Sequence, residues 1–169
     1  LVDEANGMHS SEEPKTVAIA LVTDQLDEWF AYISGLDVEL KFGYDPQEGR
    51  AHHGFVAIDP EGYLLEFERF NEHPENVDFM PILDATETIA VRPTGEGAPA
   101  GLGFKATVIW MYYRDMERAQ RFYEETMGLD LLVDQGWAKV YRTSDSGYLG
   151  LVDETRGMHS FTEEKAVTV

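Results

Sequence analysis

The sequence predicts an α+β fold built from two β-α-β-β-β modules, and three observations predict it. The order strand, capped helix, three strands is read twice along the 169 residues. The helix exits match, Gly35-Leu36-Asp37 against Gly128-Leu129-Asp130, and so do two strand starts, Tyr63-Leu64 against Tyr148-Leu149. A longer repeat joins the two ends: residues 1–19 and 151–169 share 11 identities in 19 positions at a constant offset of 150. Such a repeat decides what a structural unit is. It implies one full period of a longer tandem design plus an overlap. Residues 1–15 then read as the last strand and connector of a preceding module, and 154–169 as the connector and first strand of a following one. The plainer alternative is a duplicated connector alone.

In the first module, residues 16–70, Thr16–Val22 is apolar and β-branched and reads as a strand. Asp24 reads as an N-cap. Leu26, Trp29, Phe30 and Ile33 follow at helical spacing, and Gly35 closes the helix. Val38–Phe42 and Gly54–Ile58 read as strands. Asp59-Pro60-Glu61-Gly62 is a tight turn, and Tyr63–Phe70 is the last strand. Residues 71–104 form a linker, with a short helix over Val77–Ala85 and a flexible Gly/Pro stretch over Arg92–Gly103.

The second module, residues 105–153, repeats the pattern. Ala106–Tyr113 is a strand, Asp115 a cap, and Met116, Ala119, Tyr123 and Met127 a helical stripe ended by Gly128. Leu131–Val133, Trp137–Thr143 and Tyr148–Asp153 are the remaining strands.

Composition narrows the function. Hydrophobic residues at 43% and aromatics at 12% belong to a globular chain. Thirty-two acidic residues against 13 basic ones leave a net charge of −19. That charge opposes nucleic-acid and anionic-membrane partners and favours cationic ligands, or it serves as a solubilising surface. No apolar run approaches the roughly 18 residues of a membrane span. With no cysteine there is neither a disulfide framework nor a thiolate zinc site, which suits a cytoplasmic protein.

The stretches VAIALVTDQLDEWFAYISGLDVEL with FVAIDPEGYLLEFERF, and ATVIWMYYRDMERAQRFYEETMGLDLL with SDSGYLGLVD, resemble the vicinal oxygen chelate superfamily. That superfamily comprises the glyoxalase, bleomycin-resistance and extradiol dioxygenase proteins. The resemblance implies that the two modules pair and that their mixed sheets curl around one shared cleft. It does not fix a reaction, because the fold hosts lyases, isomerases, dioxygenases and binders. Its metal-using members draw ligands from the first and last strands of each module, positions that fall here on Val17, Glu66, Val108 and Leu151. Only Glu66 is a ligand type, whereas a hard divalent ion needs about three protein donors. The resemblance therefore implies no metal and no cofactor here.

Alternation places Leu64, Glu66 and Glu68 on one face of their strand, so Glu66 should face the cleft. There it would anchor a cationic or hydroxylated ligand or act as a general base, unless it is simply a solvated strand residue. By the same comparison Val108 faces the cleft, which brings Trp110 and Tyr112 with it. Aromatic walls beside a carboxylate suit a planar or cationic organic ligand, against the alternative of ordinary core packing. Trp137 and Tyr141 share a face of their strand and are further ligand candidates, with the inward face left open.

His52 and His53 are neighbours on a strand and cannot both reach one ion. His9 and His159 sit in the repeated Gly-Met-His-Ser of a connector, and His73 lies in the linker.

The leading expectation is metal-independent binding of a small-molecule ligand. A lyase, isomerase or dioxygenase with an atypical metal site, and a ligand-free regulatory module, are the alternatives. A homodimer is expected, formed through module or terminal-strand pairing.

Overall fold

The computed structural model describes residues 3–92, 97–165 and 167. In chain order the first module holds β1 (Val17–Val22), α1 (Leu26–Ser34), β2 (Leu40–Phe42), β3 (His52–Ile58) and β4 (Leu64–Phe70). A 3-10 turn (Pro74–Asn76), α2 (Met80–Ala85), β5 (Ile89–Ala90) and β6 (Gly103–Phe104) follow. The second module holds β7 (Ala106–Tyr113), α3 (Met116–Arg121) continued by a π turn (Phe122–Thr126), β8 (Leu131–Asp134), β9 (Ala138–Arg142) and β10 (Gly147–Asp153).

Eight strands form one mixed sheet in the order β2-β3-β4-β1-β7-β10-β9-β8. Each module puts its first strand innermost and parallel to its last, β1 to β4 and β7 to β10. The seam is the antiparallel β1–β7 pair, with Ala20 opposite Val108. The modules thus meet through backbone hydrogen bonds, which fixes the register of the inner face.

Alternation gives the sheet two apolar faces. The inner one carries Ala18, Ala20 and Val22, then Val108, Trp110 and Tyr112, with Tyr148 and Val152. The outer one is covered by the helices. Leu26 and Trp29 of α1 pack on Phe55 and Phe67, and Ala119 of α3 packs near Tyr141 and Leu151.

This pattern corrects two positions. Val17 and Leu151, expected to face the cleft, do not lie on the inner face. Both pair with Met111, on the other side of the pleat from Trp110 and Tyr112, and Leu151 packs with Tyr141 in the outer cluster. The inward residues of β10 are Tyr148, Gly150 and Val152. An assignment displaced by one residue reverses the face.

Asp24 is not the helix cap either. Thr23 Oγ1 accepts the Gln25 N–H at 3.1 Å, and Asp24 pairs with Lys105 Nζ at 2.5 Å. Gln25 sits at the N-cap without capping, because its amide is engaged elsewhere: it donates to the Gly101 carbonyl and accepts from the Gly103 N–H, both at 3.0 Å. The Trp29 indole N–H also donates to the Gly103 carbonyl, at 3.1 Å. The end of the expected flexible linker is therefore fastened to α1, with Leu102 buried. Residues 93–96 of that stretch lie outside the described residues.

The expected helix over 77–85 begins at Met80, and Phe79 before it fills one part of the inner face, packing 4.9 Å from both Phe70 and Tyr148. The second-module helix leaves α geometry after Arg121.

Asp3 and Glu4, expected in a strand, lie in a turn closed by Asn6 N–H to the Asp3 carbonyl at 3.0 Å. Leu1 and Val2, and most of the first strand expected at 166–169, lie outside the described residues. The two repeat copies nevertheless build the same connector. Asp3 Oδ1 accepts from Ala5 N–H at 3.0 Å, as Asp153 Oδ1 does from Thr155 N–H at 2.9 Å. Glu4 accepts from Ser11 N–H at 2.7 Å, as Glu154 does from Phe161 N–H at 2.6 Å.

Candidate functional site

The part of the inner face that Phe79 leaves open is a cavity of about 600 Å³. Its walls come from β3 and β4 of the first module, β7 and the start of β9 of the second, and the connector after β10. Glu66, Trp110, Tyr112 and Trp137 all line it.

Trp110 lies flat because its neighbours are small. It is flanked by Ala18 on β1 and Gly150 on β10, and a Cβ on Gly150 would sit 1.9 Å from the indole Cε3. Only glycine permits that approach. The indole is 7% exposed, and its N–H has no hydrogen-bonded acceptor among the described residues. Tyr112 is 4% exposed, because the connector covers its ring. A Cβ on Gly157 would lie 2.3 Å from Tyr112 Cε1, and His159 stands edge-on at 5.2 Å. Tyr112 therefore offers an edge where an open wall was expected. Burial raises its phenol pKa. Trp137 is the more open ring, and Arg156 lies 5.1 Å from its centroid.

Tyr141 does not join them. It sits in the outer cluster with Ala119 and Leu151 and donates to Glu124 Oε1 at 3.0 Å. It was grouped with Trp137 by alternation, but Trp137 precedes β9, so strand alternation does not carry back to it.

Two carboxyls stand on the inner face of β4. Burial pushes Glu66 up to about 7. Glu68 is 1% exposed, and burial, then the neighbouring Glu66, push it well above the usual range against a smaller pull from the Trp110 indole. His52 Nδ1 comes within 3.2 Å of Glu68 Oε1 without the alignment of a hydrogen bond. Burial, then the neighbouring His53, lowers the His52 pKa. His53 is taken up by the Gln47 backbone at 2.7 Å. Alternation already set Glu68 on the face of Glu66, and His52 was considered only with His53 as a metal pair; neither was expected to line the site. Their signal was the β3–β4 pairing, which puts Gly54 opposite Glu68 and His52 opposite Phe70 on one inner face.

Glu66, Glu68 and His52 come from one side of the cleft, while the facing strands present Ala20, Val108, Trp110, Gly150 and Val152. Among the described residues no three His, Asp or Glu are grouped to hold a metal ion. The other histidines are elsewhere: His9 pairs with Glu13 at 2.8 Å, and His73 Nδ1 lies 3.7 Å from Glu75. Among the described residues no helix is long and apolar enough to cross a membrane.

No family model and no curated protein matches the chain. Solved structures do. Glyoxalase I from Zea mays superimposes with a TM-score of 0.50 at 15% identity, over 88% of this chain and 46% of that one. A point mutant of the same enzyme gives 0.54 at 15% identity, over 89% and 47%. Methylmalonyl-CoA epimerase from Streptomyces coelicolor gives 0.47 at 13% identity, over 84% and 98%. This chain spans about half the length of the maize chains it matches. Paired modules, mixed sheet and inner cleft together give this chain the fold of the vicinal oxygen chelate proteins.

Proposed function

We propose that the chain binds a small planar organic molecule in the inner cavity without a metal ion. The observation that carries this is the meeting, in one cavity of about 600 Å³, of the Trp137 and Trp110 rings with the carboxyl of Glu66. Aromatic rings give a planar ligand large contact area at low cost in entropy, and a single polar group sets its orientation. The volume is that of a small-ligand pocket.

A second reading is favoured by one observation. A carboxyl with a pKa of about 7 is matched to proton transfer near neutral pH, so Glu66 is placed to act as a general base in an isomerase or lyase. Under either reading Glu66 touches the ligand.

The test is a tryptophan-fluorescence titration with a panel of planar aromatic compounds. Saturable quenching in the wild type, weakened in Trp137→Ala, supports the reading. A panel with no saturable response, or quenching untouched by Trp137→Ala, overturns it. Turnover of a bound compound that is lost in Glu66→Gln would establish the enzymatic reading instead.

A further inference from the structure

Glu66 and Glu68 stand two residues apart on the inner face of one strand and both line the cavity. Neither receives an ion pair from a lysine or arginine among the described residues. Arg50 donates to Gln47 Oε1 at 3.0 Å, and Arg156 lies against the Trp137 ring. Among the described residues the two oxygens of Glu68 make no aligned hydrogen bond, with His52 Nδ1 at 3.2 Å from Oε1 and the Trp110 indole beside them, although the side chain is 1% exposed. The Trp110 indole N–H lies beside them, likewise without an aligned acceptor among the described residues.

A buried carboxylate without a counter-charge holds a proton instead of ionising. A carboxyl pair that lines a cavity with no lysine or arginine counter-charge among the described residues lacks something that a ligand can bring. We infer, on the reading that the cavity binds a planar organic molecule, that the Glu66–Glu68 pair makes it a site for an aromatic monocation taken up in exchange for one proton.

The exchange balances. The cation enters, one carboxyl releases its proton to solvent, and the site keeps its net charge. The ionised carboxylate is a stronger acceptor for the neighbouring Trp110 N–H. The cation gains a desolvated partner and aromatic neighbours, worth more here than in water. A neutral molecule of the same shape gains only contact area.

Other charged or titratable groups face the pair. His52 and His53 come from β3, Asp45 and Arg50 from the loop before it, His73 and Glu75 from the segment after β4, Tyr112 from β7 and Arg156 from the connector. The control must leave all of these groups in place.

The experiment compares 1-methylquinolinium with its neutral isostere 1-methylnaphthalene, by tryptophan fluorescence at pH 6.5 on the full chain. Calorimetry of the cation in two buffers of different ionisation enthalpy counts the protons. The expected result is binding of the cation about tenfold or more tighter than the isostere, with about one proton released. Both effects shrink in Glu66→Gln and vanish in Glu66→Gln/Glu68→Gln, whose folding is checked by circular dichroism. If the double variant fails to fold, Glu66→Gln alone decides, through a lower proton count. Equal binding of cation and isostere, or cation binding without proton release, overturns the inference and leaves the cavity reading intact. Binding of neither probe overturns the inference, and the wider aromatic panel decides the cavity reading separately.

Discussion

At the scale of single residues, the site rests on what small side chains allow. Gly150 and Ala18 let the Trp110 indole lie on the sheet. Gly150→Ala should therefore destabilise the protein by about 1–3 kcal/mol, because the new methyl meets a ring that the sheet holds in place. A denaturant melt checks this, and a shift in tryptophan emission should accompany it. An unchanged midpoint would mean that the indole moves freely. Glu66 gives a pH prediction. Its folded pKa, raised by burial to about 7, exceeds its unfolded value, so its contribution is fully present below about pH 4.5 and is lost as pH rises through 7. The loss is on the order of 3 kcal/mol. Glu66→Gln should match the wild type near pH 5 and exceed it in thermal stability near pH 8. Equal melting temperatures at both pH values would contradict the burial argument. The sequence showed Glu66, Trp110 and Tyr112 on inward faces because clean alternation fixes a face once one residue is placed. It did not show that Tyr112 is covered, because the cover comes from Gly157 and His159, distant in sequence.

At the scale of elements, the two helices start differently despite similar signals. Asp115 Oδ1 accepts from Arg118 N–H at 2.9 Å, whereas Asp24 turns to Lys105. Asp115→Ala should cost about 1 kcal/mol as a lost cap, and Asp24→Ala should cost less, as the loss of an ion pair whose carboxylate is exposed. Thermal melts of the two variants check the order. The two connectors make a sharper comparison, since the same Gly-Met-His-Ser lies in two settings. Met8 is 80% exposed, and Met158 packs against the inner core. Met158→Ala should cost about 1–2 kcal/mol and Met8→Ala close to nothing. Equal losses would mean that the first connector also has a seat. The repeat was fully legible in the sequence; it led to the expectation of equivalent last strands, whereas Asp3 and Glu4 lie in a turn, and what the two copies share is the Asp3/Asp153 and Glu4/Glu154 hydrogen bonds. The difference in setting was not legible, because identical letters carry no information about their neighbours. The expected flexible linker was misread for a related reason. Gly101 and Gly103 look like flexibility in the sequence, yet Gln25 and Trp29 hold them by hydrogen bonds across more than 70 positions.

At the scale of the whole molecule, pairing of two modules through β1 and β7 creates an inner face, α2 and Phe79 fill part of it, and the rest is the cavity. The duplicated strand-helix-strand pattern made the modules readable. Which end of the cleft stays open was not readable, because Phe79 acts across modules on Tyr148. Of the four positions the resemblance points to, Glu66 alone carries a ligand-type side chain, and Val17 and Leu151 lie off the inner face; what we propose is therefore metal-independent capture of a small organic molecule. The most direct measurement is a fluorescence titration of the chelator-treated protein with 1-methylquinolinium, repeated after adding zinc, nickel, manganese or iron(II). The account predicts saturable quenching of the same affinity in every arm. Binding that appears only after a divalent metal is restored would contradict it.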